Sequence, residues 1–210
     1  MKLSGKTICF LGDSITEGHC ASSAEKNYVN RVKELCGFAQ ALNYGISGTR
    51  IARQQHPSEN PLFDQDFCSR ISKIDPTVDI IVVFGGTNDH GHGDAPFGRD
   101  SDRTPDTFLG ACHYLFSKLK EQFPGSQVLI LTPLHRLDED TSKGCEGMQL
   151  RDYARAIRSC VETYKLPVLD LFETSMINHR LSELTADGLH PNDAGHDILA
   201  REISAFLEKM

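Results

Sequence analysis

The 210-residue sequence contains no tryptophan, and aromatic residues make up only 8% of it. Aromatic platforms that stack on sugars are therefore limited to Phe and Tyr, such as Phe97 and Tyr44, which weakens a polysaccharide-binding reading. No window of about 18 apolar residues occurs, so no transmembrane helix is expected. The first apolar run, Ile8 to Leu11, is too short for a signal-peptide core and has no small-residue cleavage site behind it, which leads to the expectation of a cytoplasmic protein. There is no basic excess: 22 Lys+Arg against 29 Asp+Glu give a net charge of −7. Nucleic acid and anionic membranes both need a basic footprint, so neither is expected as a partner. The seven cysteines (Cys9, Cys20, Cys36, Cys68, Cys112, Cys145 and Cys160) include no C-x-x-C pair, and their odd number cannot pair fully within the chain. They read as small buried apolar residues plus one or two exposed thiols. The 17 glycines and 9 prolines are too few for a low-complexity or collagen-like chain.

What is present is an ordinary globular composition, 39% hydrophobic and 24% charged, of a length that fits one domain over residues 1–210. Apolar runs alternate with helical patterns. Strands are expected at Thr7–Leu11, Ala41–Tyr44, Asp79–Phe84, Gln127–Leu131 and Pro167–Leu171. Three of these are continuous apolar runs, as in parallel strands buried on both faces. Helices are expected at Asn27–Cys36 (Tyr28, Val32 and Leu35 on one face), Pro105–Gln122, Cys145–Tyr164 and Asn192–Lys209. Pro105 suits an early helical position and Asn192 an N-cap. Five β–α alternations imply a three-layer α/β/α domain, whose ligands bind beyond the carboxyl ends of the strands. The polar stretches 53–60, 91–103 and 136–144 lie near those ends and read as loops over a site.

Four segments at these positions carry chemistry. Gly12-Asp13-Ser14-Ile15-Thr16 puts a serine at a helix N-terminus, where free N–H groups stabilise negative charge; a plain capping serine is the alternative. Asn43-Tyr44-Gly45-Ile46-Ser47-Gly48 offers two glycines for a close approach of backbone to ligand, or for ordinary turns. Gly85-Gly86-Thr87-Asn88-Asp89 projects the Asn88 amide from the central strand, as an oxyanion donor or a turn former. Asp187-Gly188-Leu189-His190-Pro191 spaces a carboxylate and an imidazole so that Asp187 can hold His190 as a general base for Ser14; a capping role competes. Their joint placement on one edge of the sheet suits acyl transfer. Further candidates to contact substrate are Asp13, Arg50, Asp89, His90, His92 and His135, with Arg136 on the leaving-group side and His19 and Cys20 bordering the site. The Asp89–Asp94 segment has two histidines and two carboxylates that could hold a metal, but its glycines suggest a flexible loop, so no metal and no cofactor is expected.

With these four blocks in this order, the sequence resembles the SGNH hydrolase superfamily, the GDSL-type esterases and lipases, over residues 12–190. The resemblance implies a flavodoxin-like fold with a five-stranded parallel sheet. It implies Ser14 as nucleophile, His190 as base, Asp187 as its orienting partner, and an oxyanion hole formed by the Ser14 and Gly48 N–H groups and the Asn88 side chain. The expected function is hydrolysis of carboxylic esters of a small-molecule substrate, short-chain acetyl esters first, with a carbohydrate as the leading leaving group. A thioesterase or lysophospholipase with the same triad is the alternative. A non-catalytic binding protein on the same fold is an alternative of another class. A nucleotide binder is disfavoured, since neither G-x-x-x-x-G-K-[ST] nor G-x-G-x-x-G follows the first strand.

Overall fold

The apolar runs form strands, and their side chains divide between two cores because successive residues point to opposite faces. The structure, a computed structural model, describes residues 2–141, 143–144 and 147–210. Its elements in chain order are β1 (Thr7–Gly12), α1 (Ser14–Glu17), α2 (Tyr28–Cys36), β2 (Gln40–Gly45), α3 (Phe67–Arg70), β3 (Ile80–Phe84), α4 (Thr87–His92) and α5 (Phe108–Gln122). They continue with β4 (Gln127–Leu131), α6 (Leu150–Tyr164), β5 (Val168–Leu169), α7 (Leu171–Thr174), α8 (Leu181–Leu184) and α9 (Asp193–Leu207). The strands make one five-stranded parallel sheet in the order β2-β1-β3-β4-β5. This is the flavodoxin-like order, with its topological switch between β1 and β3. Cys9, Leu11, Ile81, Val83, Val128 and Ile130 pack against α5 and α6 on one face. Ile8, Phe10, Ile80, Val82, Leu129 and Leu131 pack against α2 and α9 on the other.

Most differences from expectation lie at element ends. The long helix begins at Phe108 rather than near Pro105, because Thr107 takes the cap: its Oγ1 accepts from the Gly110 N–H at 3.1 Å. Asn192 caps α9 by accepting from the Ala194 and Gly195 N–H groups. The last strand shrinks to Val168–Leu169, since Asp170 turns to accept from Thr132 Oγ1 at 2.9 Å and pairs with Arg158, and Leu171 starts α7. Leu35 is 42% exposed rather than on the core face with Tyr28 and Val32. Helix α6 begins at Leu150; the expected start at Cys145 lies outside the described residues. The six described cysteines are free thiols. Among the described residues, no helix is long and apolar enough to cross a membrane.

At the end of β2 the chain runs against the backbone of α1. A Cβ on Gly45 would stand 2.1 Å from the Glu17 nitrogen and 2.6 Å from the Thr16 carbonyl carbon, and backbone has no rotamer with which to retreat. Gly45→Ala is therefore expected to destabilise the protein by about 1–3 kcal/mol, the usual cost of overpacking. Thermal unfolding would register this as a lower Tm, and an unchanged Tm would mean that α1 is free to move off the sheet.

Candidate active site

Ser14 follows β1 as the first residue of α1. The cap of that turn is Asp13, whose Oδ1 accepts from the Ile15 N–H at 3.0 Å. Ser14 is thereby released from capping, and its Oγ lies 2.9 Å from His190 Nε2. On the far side of the ring, His190 Nδ1 lies 2.7 Å from Asp187 Oδ2. An ionised carboxylate only accepts, so this pairing places the ring proton on Nδ1 and the lone pair on Nε2, facing the serine. Burial pushes the Asp187 carboxyl up, but the His190 backbone and ring N–H groups and the Leu189 N–H outweigh it and hold Asp187 below the usual carboxylate range. The loop is pinned by an antiparallel bridge between Thr185 and Pro191 and by the Gly188 N–H on Thr185 Oγ1. Since Asn192 does the capping of α9, His190 is left to face Ser14.

The second and third blocks are tied to each other and to α1. Gly48 has φ +73, and a Cβ there would meet the Phe63 ring at 2.3 Å, so both the backbone conformation and the space require glycine. Ser47 donates through its N–H and hydroxyl to the Glu17 carboxylate. Asn88 Nδ2 donates to the Thr49 carbonyl at 3.0 Å, leaving its second N–H for other use. Among the described residues, neither the Ser14 nor the Gly48 N–H meets an acceptor. Ser14, Gly48, Asn88 and His190 line one pocket of about 290 Å³, with Phe63, Leu189, His92 and Arg136 among its walls. Phe63 lies outside every sequence motif, and Leu189, although inside the Asp187–Pro191 block, has no chemical group that marks it; only the tertiary fold brings both side chains to the pocket wall.

The remaining candidates separate. Residues 87–92 form a helix that takes in most of the loop expected over Asp89–Asp94, so Asn88, Gly91 and His92, at i, i+3 and i+4, share the face towards the pocket. Asp89 and His90 turn away: Asp89 accepts from the Ile51 and Ala52 N–H groups at 3.0 Å each, and His90 Nε2 meets the Thr141 carbonyl. Asp13 is occupied by its cap and does not line the pocket. Arg50 is 2% exposed and spent on Ser58, the Phe63 carbonyl and Asp64, with His92 Nδ1 at 2.9 Å, so it is not open to a substrate carboxylate. His135 is held by Glu139 and the Phe172 carbonyl, while its neighbour Arg136 reaches the pocket. Burial and the nearby Arg50 and Arg136 charges push His92 down to about 4, so it faces the pocket as a neutral ring. Asp94 accepts from Gln55 and His56, so the four candidate metal ligands of 89–94 do not converge. Phe97 packs on Phe108 and Tyr153, and the Tyr44 hydroxyl accepts from the Asp75 N–H; neither is a platform at the pocket.

A further residue lies beneath the site. Arg70 is 2% exposed and donates to the Tyr44 carbonyl at 2.5 Å, the Gly12 carbonyl at 3.0 Å and Thr49 Oγ1 at 3.0 Å. Its Nε–H donates to the Gln65 carbonyl, and the guanidinium rests over the Phe67 ring. No motif in the sequence marks it.

Residues 10–198 match the GDSL-like Lipase/Acylhydrolase family. One solved crystal structure is 30% identical over 100% of this chain and 99% of its own, with a TM-score of 0.85. A protein from Lactobacillus plantarum is 29% identical over 98% of each chain, with a TM-score of 0.83. A possible lipase from Chitinophaga pinensis shares the fold at 20% identity, covering 97% of this chain and 98% of its own, with a TM-score of 0.75. No curated protein matches the chain.

Burial pushes the Asp13 carboxyl up to about 7, against the pull of the Ile15 N–H. The folded protein then keeps a proton that an unfolded carboxyl, with a pKa of about 4, has lost. Proton uptake by the folded state makes stability fall as pH rises from about 4 to about 7. Asp13→Asn keeps a capping oxygen and removes the titration. It is expected to make the Tm profile less steep across that window, leaving the share of buried Asp89, which burial raises to about 6, as thermal unfolding at a series of pH values would show.

Proposed function

The chain belongs to the GDSL-like lipase/acylhydrolase family, a family of ester hydrolases, and we propose that Ser14, His190 and Asp187 carry its reaction on short-chain acyl esters. The observation that supports this most directly is the continuous chain from Ser14 Oγ through His190 to Asp187, at 2.9 and 2.7 Å. Ser14 Oγ attacks the acyl carbon as its proton passes to His190 Nε2. The carbonyl electron pair moves onto oxygen, where the Ser14 and Gly48 N–H groups and the Asn88 amide stabilise it. The tetrahedral adduct collapses, and the leaving alkoxide takes the proton from His190, leaving acyl-Ser14. Water then attacks the acyl carbon and gives its proton to His190. A second collapse releases the carboxylic acid and returns the proton to Ser14. Asp187 holds the ring in the productive tautomer and stabilises the imidazolium formed at each step.

The pocket favours a small acyl group. Its volume of about 290 Å³ is at the low end for small-molecule sites. Phe63 and Leu189 give the acyl group apolar contact, while Arg136 and neutral His92 offer polar contacts to an alcohol such as a sugar hydroxyl.

Ser14→Ala is expected to abolish hydrolysis of p-nitrophenyl acetate while leaving the fold intact by circular dichroism; retention of the wild-type rate would exclude the mechanism. Asn88→Ala should lower kcat by about 10²–10³, the cost of one oxyanion donor. A panel of acyl lengths should show kcat/KM highest for acetyl to butyryl esters, including acetylated sugars. A maximum at octanoyl to palmitoyl chains or at thioesters would move the protein to the lysophospholipase or thioesterase reading.

A further inference from the structure

Two side chains at the site are not used by the hydrolytic steps above: His19, which lines the pocket, and its neighbour Cys20. Helix α1 ends at Gly18, and a turn closed by the Ala21 N–H on the Gly18 carbonyl carries His19 and Cys20. Cys20 is held at φ +69, in the left-handed region that side chains rarely adopt. His19 is exposed, Cys20 is half-buried, and the His19 and His190 rings meet edge to face with centroids 4.5 Å apart. One ligand atom each of His19, Cys20 and His190 lies within 4.8 Å of the others.

We propose that His19, Cys20 and His190 form a site for a thiophilic divalent cation of the zinc class, and that its occupancy reversibly switches hydrolysis off. Two imidazoles and a thiolate are a zinc donor set, with the fourth position left to water. Zinc bonds of about 2.0–2.3 Å bring tetrahedral ligands somewhat closer than 4.8 Å, a change within the reach of side-chain rotation at the exposed His19. The Asp187 carboxylate on His190 Nδ1 is also the partner that orients an imidazole towards a metal through its other nitrogen. His190 Nε2 has a single lone pair. It accepts either the Ser14 proton or the cation, so the metal competes with the base. On binding, Cys20 loses its thiol proton to bulk water. The inhibitory half of this inference rests on the Ser14–His190 reading; the binding half does not.

The test uses the full-length chain, stripped with a chelator and titrated with Zn²⁺ and, separately, with Co²⁺. Zinc should abolish ester hydrolysis in the wild type, and chelator should restore it. Cys20→Ala and His19→Ala should each raise the inhibitory zinc concentration at least about tenfold, the smallest loss that removing even an outer partner of a ligand brings. Cobalt should give a thiolate charge-transfer band in the wild type and in Ser14→Ala, and none in Cys20→Ala. The absence of that band in the wild type, or equal zinc inhibition of the wild type and both variants, overturns the proposal. His19 is exposed, so His19→Ala keeps the test decisive even if Cys20→Ala misfolds. Should Ser14→Ala hydrolyse esters at the wild-type rate, the Ser14–His190 reading fails, and the cobalt band still decides the metal site.

Discussion

Where a parallel strand runs beyond its ladder its last carbonyls lose their strand partners, and a buried carbonyl must find a donor. At the carboxyl ends of β1 and β2, where Ser14 and Gly48 follow, much of that demand falls on one side chain. Arg70 donates to the Gly12 and Tyr44 carbonyls and to Thr49 Oγ1 from beneath the site. A buried guanidinium costs desolvation, which lowers Arg70 to about 10, but the Asp13 and Asp66 charges favour its ionised form and its planar fork serves several acceptors at once. Asn88 closes the same assembly from α4, after β3, through the Thr49 carbonyl, and Glu17 closes it from α1 through Ser47. The N–H groups of Ser14 and Gly48, which meet no acceptor among the described residues, thus sit on a frame tied together by Arg70, Asn88 and Glu17.

The carboxylates near the site separate by environment. Asp187, in a loop and met by several N–H groups, stays ionised. Asp13 and Asp89 are buried, and burial raises them to about 7 and about 6 despite the backbone N–H groups that each accepts. Asp89 spends its two oxygens on Ile51 and Ala52, just beyond Arg50, and so braces the segment that follows the Gly48 turn. Only the carboxylate that remains ionised opposite an imidazole can orient a base.

The four chemical blocks were legible because a serine, glycine, asparagine and Asp/His pair each followed an apolar run or preceded the last helix. Direction was not legible. Asp89-His90-Gly91-His92 reads as a glycine-rich loop, yet Gly86 caps it as a helix, and helical spacing alone sends His92 to the pocket and His90 into the protein. His135 and Arg136 adjoin, and only Arg136 lines the pocket, because Glu139 and the Phe172 carbonyl hold His135 elsewhere. Of the three polar stretches expected over the site, 53–60 contributes nothing to the pocket wall, while Phe63, beyond its end, does.

The sequence by itself determined the layering and the order of the chemical blocks. Apolar runs must be buried on both faces, and that requirement is local to each run. Tertiary structure decided which neighbouring polar groups meet. Ser14 and His190 are 176 positions apart in the chain and 2.9 Å apart in space, and the donors of Arg70 reach back 58 positions to Gly12. The Ser14–His190 contact is expected only when the blocks are taken together, and the reach of Arg70 is marked by no motif at all, because contacts over such separations depend on how the strands are ordered and where short helices turn.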